Sequence, residues 1–337
     1  MRGIVCEQVD RLILAELPEP ESSAGMAVVR IRRIGICGTD MHAYKGNQPF
    51  FTYPRVLGHE LSGTIEQIED NAEGLRVGDQ VSVIPYIHCG HCIACRNGKT
   101  NCCTDMKVMG VHIDGGMRER IAVPISHLIH TEGLTLDQAA TLEPFSIGAH
   151  AVRRSELRQG ETALVIGAGP IGLGVMAFAK HRGATVIAMD VNEERLSFCA
   201  KWAKADHTVN ALREPIEEIQ QLTGGDFPTV VFDATGNVRS MTDAFRYVAH
   251  GGRLVYVGLV KADIAFHDPE FHKREMTLMG SRNATAEDFD NVIQAIRDGS
   301  IDVDSFITHR CSFDDTVEQF EGWLKPESKV IKAMIEV

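Results

Sequence analysis

The chain has 337 residues, 44% of them hydrophobic and 24% charged, which is the balance of a globular protein long enough for two domains. Its 46 acidic and 34 basic side chains leave a net charge of −12 with no basic block to offset it, so a general nucleic-acid binder is excluded. No run approaches the roughly 18–20 apolar residues of a membrane span, and the first ten residues carry charge early with no apolar core. A soluble, cytoplasmic protein without a signal peptide is therefore expected. In such a chain nine clustered cysteines point to metal binding rather than to disulfides.

Residues 1–147 read as short strands and turns, with strands predicted over 28–34, 63–68 and 80–84. Two motifs lie between them, Gly35-Ile36-Cys37-Gly38-Thr39-Asp40-Met41-His42 and Gly58-His59-Glu60-Leu61-Ser62-Gly63. Cys37, His59 and Glu60 offer a thiolate, an imidazole and a carboxylate, a donor set that suits zinc with an open position. One thiolate and one carboxylate neutralise Zn2+, and the metal then lowers the pKa of a bound water or alcohol. Taken singly, each residue has a plainer reading as a buried Cys, a core His or a surface Glu.

Next in the chain Cys89, Cys92, Cys95 and Cys103 follow C-x2-C-x2-C-x7-C. Four thiolates at this spacing can close tetrahedrally around zinc and leave no place for substrate, so a structural site is expected over residues 88–104. Cys102 adjoins Cys103, and spacing alone allows either as the last ligand. Free thiols and an iron–sulfur cluster are the competing readings.

From residue 148 strands and helices alternate. Strands are predicted over 162–166, 184–190, 229–233, 253–257 and 276–280, and helices over 171–182, 192–202 capped by Asn192, 215–222, 238–250 and 286–297. The alternation predicts an α/β doubly wound parallel sheet of the Rossmann type. Gly167-Ala168-Gly169-Pro170-Ile171-Gly172 is a G-x-G-x-x-G that follows an apolar strand and opens a helix. Gly167 permits the tight turn, Gly169 lets backbone approach a pyrophosphate, and Gly172 allows close helix–strand packing, while Pro170 and Ile171 begin the helix whose N–H groups face the phosphates. Asp190, 18 residues past Gly172, can accept both ribose hydroxyls and repel a 2′-phosphate, which favours NAD over NADP. A structural turn beside a surface Asp is the alternative.

Together these motifs resemble the zinc-containing medium-chain alcohol and polyol dehydrogenases over essentially the whole chain. The resemblance implies a mainly-β, GroES-like catalytic domain formed by residues 1–147 and 281–337, and a Rossmann NAD-binding domain over 148–280, with the active site in the cleft. It implies Cys37, His59 and Glu60 as catalytic zinc ligands, with Glu143 of Leu142-Glu143-Pro144-Phe145 binding directly or through water, and it favours Cys103 in the structural site. It assigns Thr39 to the reacting hydroxyl, His42 to passing its proton toward solvent, and Asp40 to orienting His59. It also suggests a homodimer or homotetramer through a sheet-edge strand around 253–260.

Within the family the resemblance is narrower to the L-galactonate and L-gulonate 5-dehydrogenase type. It is carried by Gly46-Asn47-Gln48-Pro49-Phe50-Phe51, Gly110-Val111-His112, Asp268-Pro269-Glu270-Phe271-His272-Lys273 and Gly280-Ser281-Arg282-Asn283-Ala284-Thr285. Met117-Arg118-Glu119-Arg120 departs from that type, and Arg118 would alter substrate preference if it reached the pocket. A hexonate needs a cation for its carboxylate. Arg282 is the leading candidate, since a guanidinium takes a carboxylate in bidentate fashion, with an interdomain salt bridge as its other reading. His112, Asn47 and Gln48 are candidates for the carboxylate or hydroxyls. Oxidation at C5 of a hexonate competes with a sorbitol- or threonine-type activity on the same zinc motifs, and with a non-catalytic NAD-binding protein.

Overall fold

The computed structural model describes residues 1–48 and 50–337; Pro49, inside the 46–51 motif, lies outside them. The chain divides into two compact units, Met1–Glu143 with Asp302–Val337, and Pro144–Ile301.

The first unit is built on a sheet in the order Leu128–His130, Gln80–Val83, Glu60–Gln67, Met26–Ile36, Lys332–Glu336, Ile307–Ser312, with Arg120–Pro124 also paired to Met26–Ile36. All these pairings are antiparallel except that of Lys332–Glu336 with Ile307–Ser312. The C-terminal tail therefore returns to the first domain as a central strand, with Ile335 facing Ile34. A second, three-stranded sheet joins Arg11–Glu16, Arg2–Gln8 and Arg55–Val56. A register irregularity between Ile31 and Arg33 re-phases strand Met26–Ile36, so that Ile31, Ile34 and Ile36 all join one buried apolar cluster with Leu57, Leu61, Val81, Val83 and Ile335.

The second unit is a six-stranded parallel sheet in the order His207–Asn210, Thr185–Asp190, Thr162–Ile166, Val230–Asp233, Arg253–Tyr256, Thr277–Gly280. Numbered within the unit this is 3-2-1-4-5-6, the doubly wound order. Its strands are apolar runs such as Thr-Ala-Leu-Val-Ile because both faces are covered. The edge strands are His207–Asn210 and Thr277–Gly280. Arg253–Tyr256 lies inside the sheet, which corrects the expectation of an edge around 253–260.

Three further features differ from the sequence reading. Residues 142–154 form a helix, Leu142–Arg154, that begins where strands and turns were expected up to residue 147 and runs on into 148–154, for which no element was predicted. Pro144 and Gly148 resemble turn residues, but proline is tolerated in a first helical turn. At Gly148 an added Cβ would stand 2.5 Å from the Gly174 carbonyl carbon, so that glycine allows helix Pro170–His181 to approach backbone to backbone. Residues 281–301 pack with the second unit rather than with the first. Helix Ala286–Arg297 carries Asp288, fully buried, with one oxygen 2.9 Å from His150 Nδ1 and the other accepting Arg153 Nε at 2.7 Å. A carboxylate so held has its pKa driven well down; burial opposes this, and the His150 and Arg153 bonds outweigh it. The helix expected over 238–250 is Val238–Asp243 followed by a tighter turn, Ala244–Tyr247, because Ala244, Phe245, Tyr247 and Val248 all point inward in i, i+3 pairs.

Among the described residues no helix is long and apolar enough to cross a membrane.

Candidate metal centre and dinucleotide loop

Cys37 sits where strand Met26–Ile36 ends and helix Gly38–Tyr44 begins, and Glu60 opens the neighbouring strand Glu60–Gln67 with His59 immediately before it. Asp40, fully buried, ties the two segments together. Its Oδ2 accepts the Cys37 N–H at 2.9 Å and its Oδ1 accepts the Gly58 N–H at 3.2 Å. His59 Nδ1 stands 3.7 Å from Asp40 Oδ1, beyond hydrogen-bond reach, and is a buried nitrogen without a partner. One ligand atom from each of Cys37, His59 and Glu60 lies within 4.8 Å of the others. His59 and Glu60 are buried and Cys37 is half-buried, so the group is dry but open on the thiol side. Burial would lower the His59 pKa; the charges of Asp40 and Cys37 outweigh it and hold that pKa well above the usual value.

Glu143 is buried beside this group, and its Oε1 accepts the phenol of buried Tyr86. Burial pushes the Glu143 carboxyl up to about 7, against the pull of His59. Glu60 faces a lysine instead: Lys332 Nζ donates to its Oε1 at 2.6 Å and its Oε2 at 2.7 Å. Gly35, paired with Glu60 in register, makes room for that carboxylate, since an added Cβ would stand 2.1 Å from Glu60 Oε2. Neither Lys332 nor Tyr86 is evident from the motifs. A signal for Lys332 was present: it is the one charge inside the apolar stretch Val330-Ile331-Lys332-Ala333-Met334-Ile335.

The second metal-capable group is Cys89, Cys92, Cys95 and Cys103. Backbone N–H groups point at the sulfurs, Cys89 N to Cys103 Sγ at 3.3 Å, Cys92 N to Cys89 Sγ at 3.4 Å and Asp105 N to Cys103 Sγ at 3.3 Å. Such donors favour thiolates. The Cys95 and Thr104 amides bring Cys92 down to about 5, while burial raises neighbouring Cys95 to about 12. The choice between Cys102 and Cys103 falls to Cys103, which is buried in the group, whereas Cys102 is exposed.

In the second unit Gly167 has φ +99°, and an added Cβ at Gly172 would stand 1.8 Å from the Gly167 carbonyl oxygen. The turn therefore needs both glycines. Gly169 caps helix Pro170–His181, with Pro170 in its first turn and Ile171 half-buried behind it. Asp190, last in its strand, accepts the Ala168 N–H at 2.7 Å on Oδ2 and the Asn192 N–H at 2.9 Å on Oδ1. It is thus a structural partner of the loop as well as a candidate ribose ligand.

The remaining candidates are more dispersed. Thr39 is half-buried and His42 exposed, both on helix Gly38–Tyr44. His112 stacks on Phe50 with ring centroids 5.8 Å apart, which brings it to the loop bearing exposed Asn47 and half-buried Gln48. Arg282 is exposed in the second unit just after strand Thr277–Gly280. It lies between two buried polar atoms without partners, Ser281 Oγ and Asn283 Nδ2. Arg118 bridges to Gly3 of the N-terminal strand, partly buried, and is pulled down in pKa by that burial.

The family comparisons agree with this geometry. Residues 23–133 match the alcohol dehydrogenase GroES-like domain and residues 170–298 the zinc-binding dehydrogenase domain. The chain belongs to the zinc-type medium-chain alcohol dehydrogenases. It is 42% identical to the L-galactonate-5-dehydrogenase of Escherichia coli strain K12, covering 99% of this chain and 98% of that one. It is 33% identical to the 2-dehydro-3-deoxy-L-galactonate 5-dehydrogenase of Pseudoalteromonas atlantica, covering 93% and 92%. A crystal structure of the alcohol dehydrogenase RspB of E. coli CFT073, complexed with the cofactor NADH, superposes with a TM-score of 0.92 at 32% identity, covering 100% and 99%.

Proposed function

We propose that this dehydrogenase is zinc-dependent and NAD-linked and oxidises the C5 hydroxyl of a hexonate, L-gulonate to D-fructuronate or L-galactonate to D-tagaturonate. The observation that carries the chemistry is the buried Cys37–His59–Glu60 group, whose mixed donor set suits a catalytic zinc. The hexonate is supported by the two sugar-acid relatives.

In this reading Cys37, His59, Glu60 and Glu143 hold the catalytic zinc, with Asp40 fixing the Cys37 and Gly58 backbones around it. Cys89, Cys92, Cys95 and Cys103 hold the structural zinc. When bound, zinc supplies Lewis acidity at the substrate hydroxyl and NAD supplies the hydride acceptor. Gly167, Gly169, Pro170, Ile171 and Gly172 present backbone to the pyrophosphate, and Asp190 accepts the ribose hydroxyls. Thr39 holds the reacting hydroxyl and His42, exposed on the same helix, passes its proton to solvent. Arg282 takes the substrate carboxylate, and His112, Asn47 and Gln48 orient the other hydroxyls. The nine cysteines stand outside any disulfide, which fits a reducing cytoplasm. A homodimer or homotetramer belongs to the same reading; the exposed edge strand Thr277–Gly280, with Leu278 41% exposed, supports it.

The test is Cys37→Ser. Zinc content should drop to that of the four-cysteine lobe alone and turnover should vanish while NADH still binds. Normal turnover by this variant would refute the mechanism.

A further inference from the structure

Lys332 is 1% exposed in a central strand, a position where a lysine is rarely tolerated without partners. Its three donor positions meet three acceptors: Ile36 O at 3.0 Å and the two Glu60 oxygens at 2.6 and 2.7 Å. The strand register makes this possible, because Ala333 faces Ile36 and Gly35 faces Glu60. Each carboxylate of the centre thus has its own holder, Lys332 on both oxygens of Glu60 and Tyr86 on one oxygen of Glu143. Charge points the same way. Cys37, Glu60 and Glu143 bring three potential negative charges, a divalent ion answers two, and Lys332 supplies the third.

We propose that Lys332 is a positioning residue of the metal centre that works through Glu60. By engaging both carboxylate oxygens it sets how far Glu60 enters the metal's shell and keeps a coordination position free for the substrate hydroxyl. Without the ammonium, a fully buried carboxylate has no countercharge except the metal. Glu60 would then be able to bind the metal through both oxygens instead of one, which would fill the position the substrate needs. This rests on the reading of Cys37, His59 and Glu60 as the catalytic zinc site.

The test uses full-length protein with zinc kept in the four-cysteine lobe and cobalt(II) placed at the Cys37 site, as wild type, Lys332→Met, Lys332→Arg and Glu60→Gln/Lys332→Met. In Lys332→Met the visible cobalt bands should weaken and shift toward those of a higher-coordinate ion, and a chelator should remove the metal more slowly. For the zinc form kcat should fall by about tenfold or more with KM for NAD unchanged. Lys332→Arg should recover most of kcat and the wild-type spectrum. The double variant, which also avoids an uncompensated buried charge if the single one does not fold, should return the spectrum close to wild type because glutamine offers the metal only one oxygen and cannot chelate it. A wild-type spectrum in Lys332→Met, or an altered one in the double variant, would overturn the role of Lys332. Cobalt uptake by the wild type only in the lobe would instead refute the catalytic metal reading.

Discussion

Replacing Asp190 by alanine separates the loop-anchoring job that the structure gives to its carboxylate from the ribose-binding job proposed for it. The first is structural: its oxygens accept the Ala168 and Asn192 N–H groups at 2.7 and 2.9 Å. Hydrogen bonds to a charged acceptor are worth about 1.5–3 kcal/mol each, and losing these two loosens the glycine loop for any dinucleotide alike. The second job is discrimination. Loss of the bonds to the ribose hydroxyls removes a further roughly 3 kcal/mol from NAD alone, about a hundredfold in affinity. For NADP the change has the opposite sign, because a carboxylate near a 2′-phosphate repels it by about 4 kcal/mol per charge pair at about 4 Å and an effective dielectric of about 20. The ratio of kcat/KM for NAD over NADP should therefore fall by about a hundredfold or more in Asp190→Ala. Steady-state kinetics with both cofactors on one substrate reads this directly. If both cofactors weaken together and the ratio stays put, Asp190 is only a loop anchor.

Three other outcomes follow from single sites. Gly172→Ala places a methyl where the gap to Gly167 O is 1.8 Å, so the loop must yield; dinucleotide binding by fluorescence titration should be lost while the zinc content stays whole, and retained binding would contradict the close packing. His127 is 5% exposed, and burial together with the charge of nearby His88 lowers its pKa to about 4 from 6.5. The fold thus favours the neutral ring: its stability is complete above pH 6.5 and falls by about 3 kcal/mol as pH drops from 6.5 toward 4. Urea unfolding of His127→Gln should lack that part of the acid loss, and identical pH slopes for variant and wild type would refute it. Arg282→Met should raise KM for a hexonate by about tenfold or more while leaving oxidation of an uncharged polyol unchanged, and an equal loss on both would point to a structural role.

Much of the nucleotide-binding unit was legible because its signals are local. The strand at Thr162–Ile166 and the helices at Pro215–Leu222 and Ala286–Arg297 occur where apolar runs and 3.6-residue periodicity put them, and Asn192 caps its helix through Glu194 N and Arg195 N. What resisted reading depends on partners distant in sequence. Nothing near residue 288 says that Asp288 is buried against His150 and Arg153, a contact made inside the second unit, to which 281–301 belongs. Helix Leu142–Arg154 was obscured by Pro144 and by Gly148, a glycine explained only by the backbone it approaches. At the candidate metal centre Cys37, His59 and Glu60 were offered by their donor types within two motifs, and Glu143 by the family resemblance. Their holders, Tyr86 and Lys332, lie 57 and 272 residues from the carboxylates they bind and follow no motif.

The central claim is tested most directly by following reduced nicotinamide formation with zinc-loaded protein and NAD across L-galactonate, L-gulonate, sorbitol and L-threonine. Preferential oxidation of one of the two hexonates, abolished by Cys37→Ser, is the predicted result. Turnover confined to sorbitol or threonine would contradict the sugar-acid assignment, and turnover that survives Cys37→Ser would contradict the zinc chemistry itself.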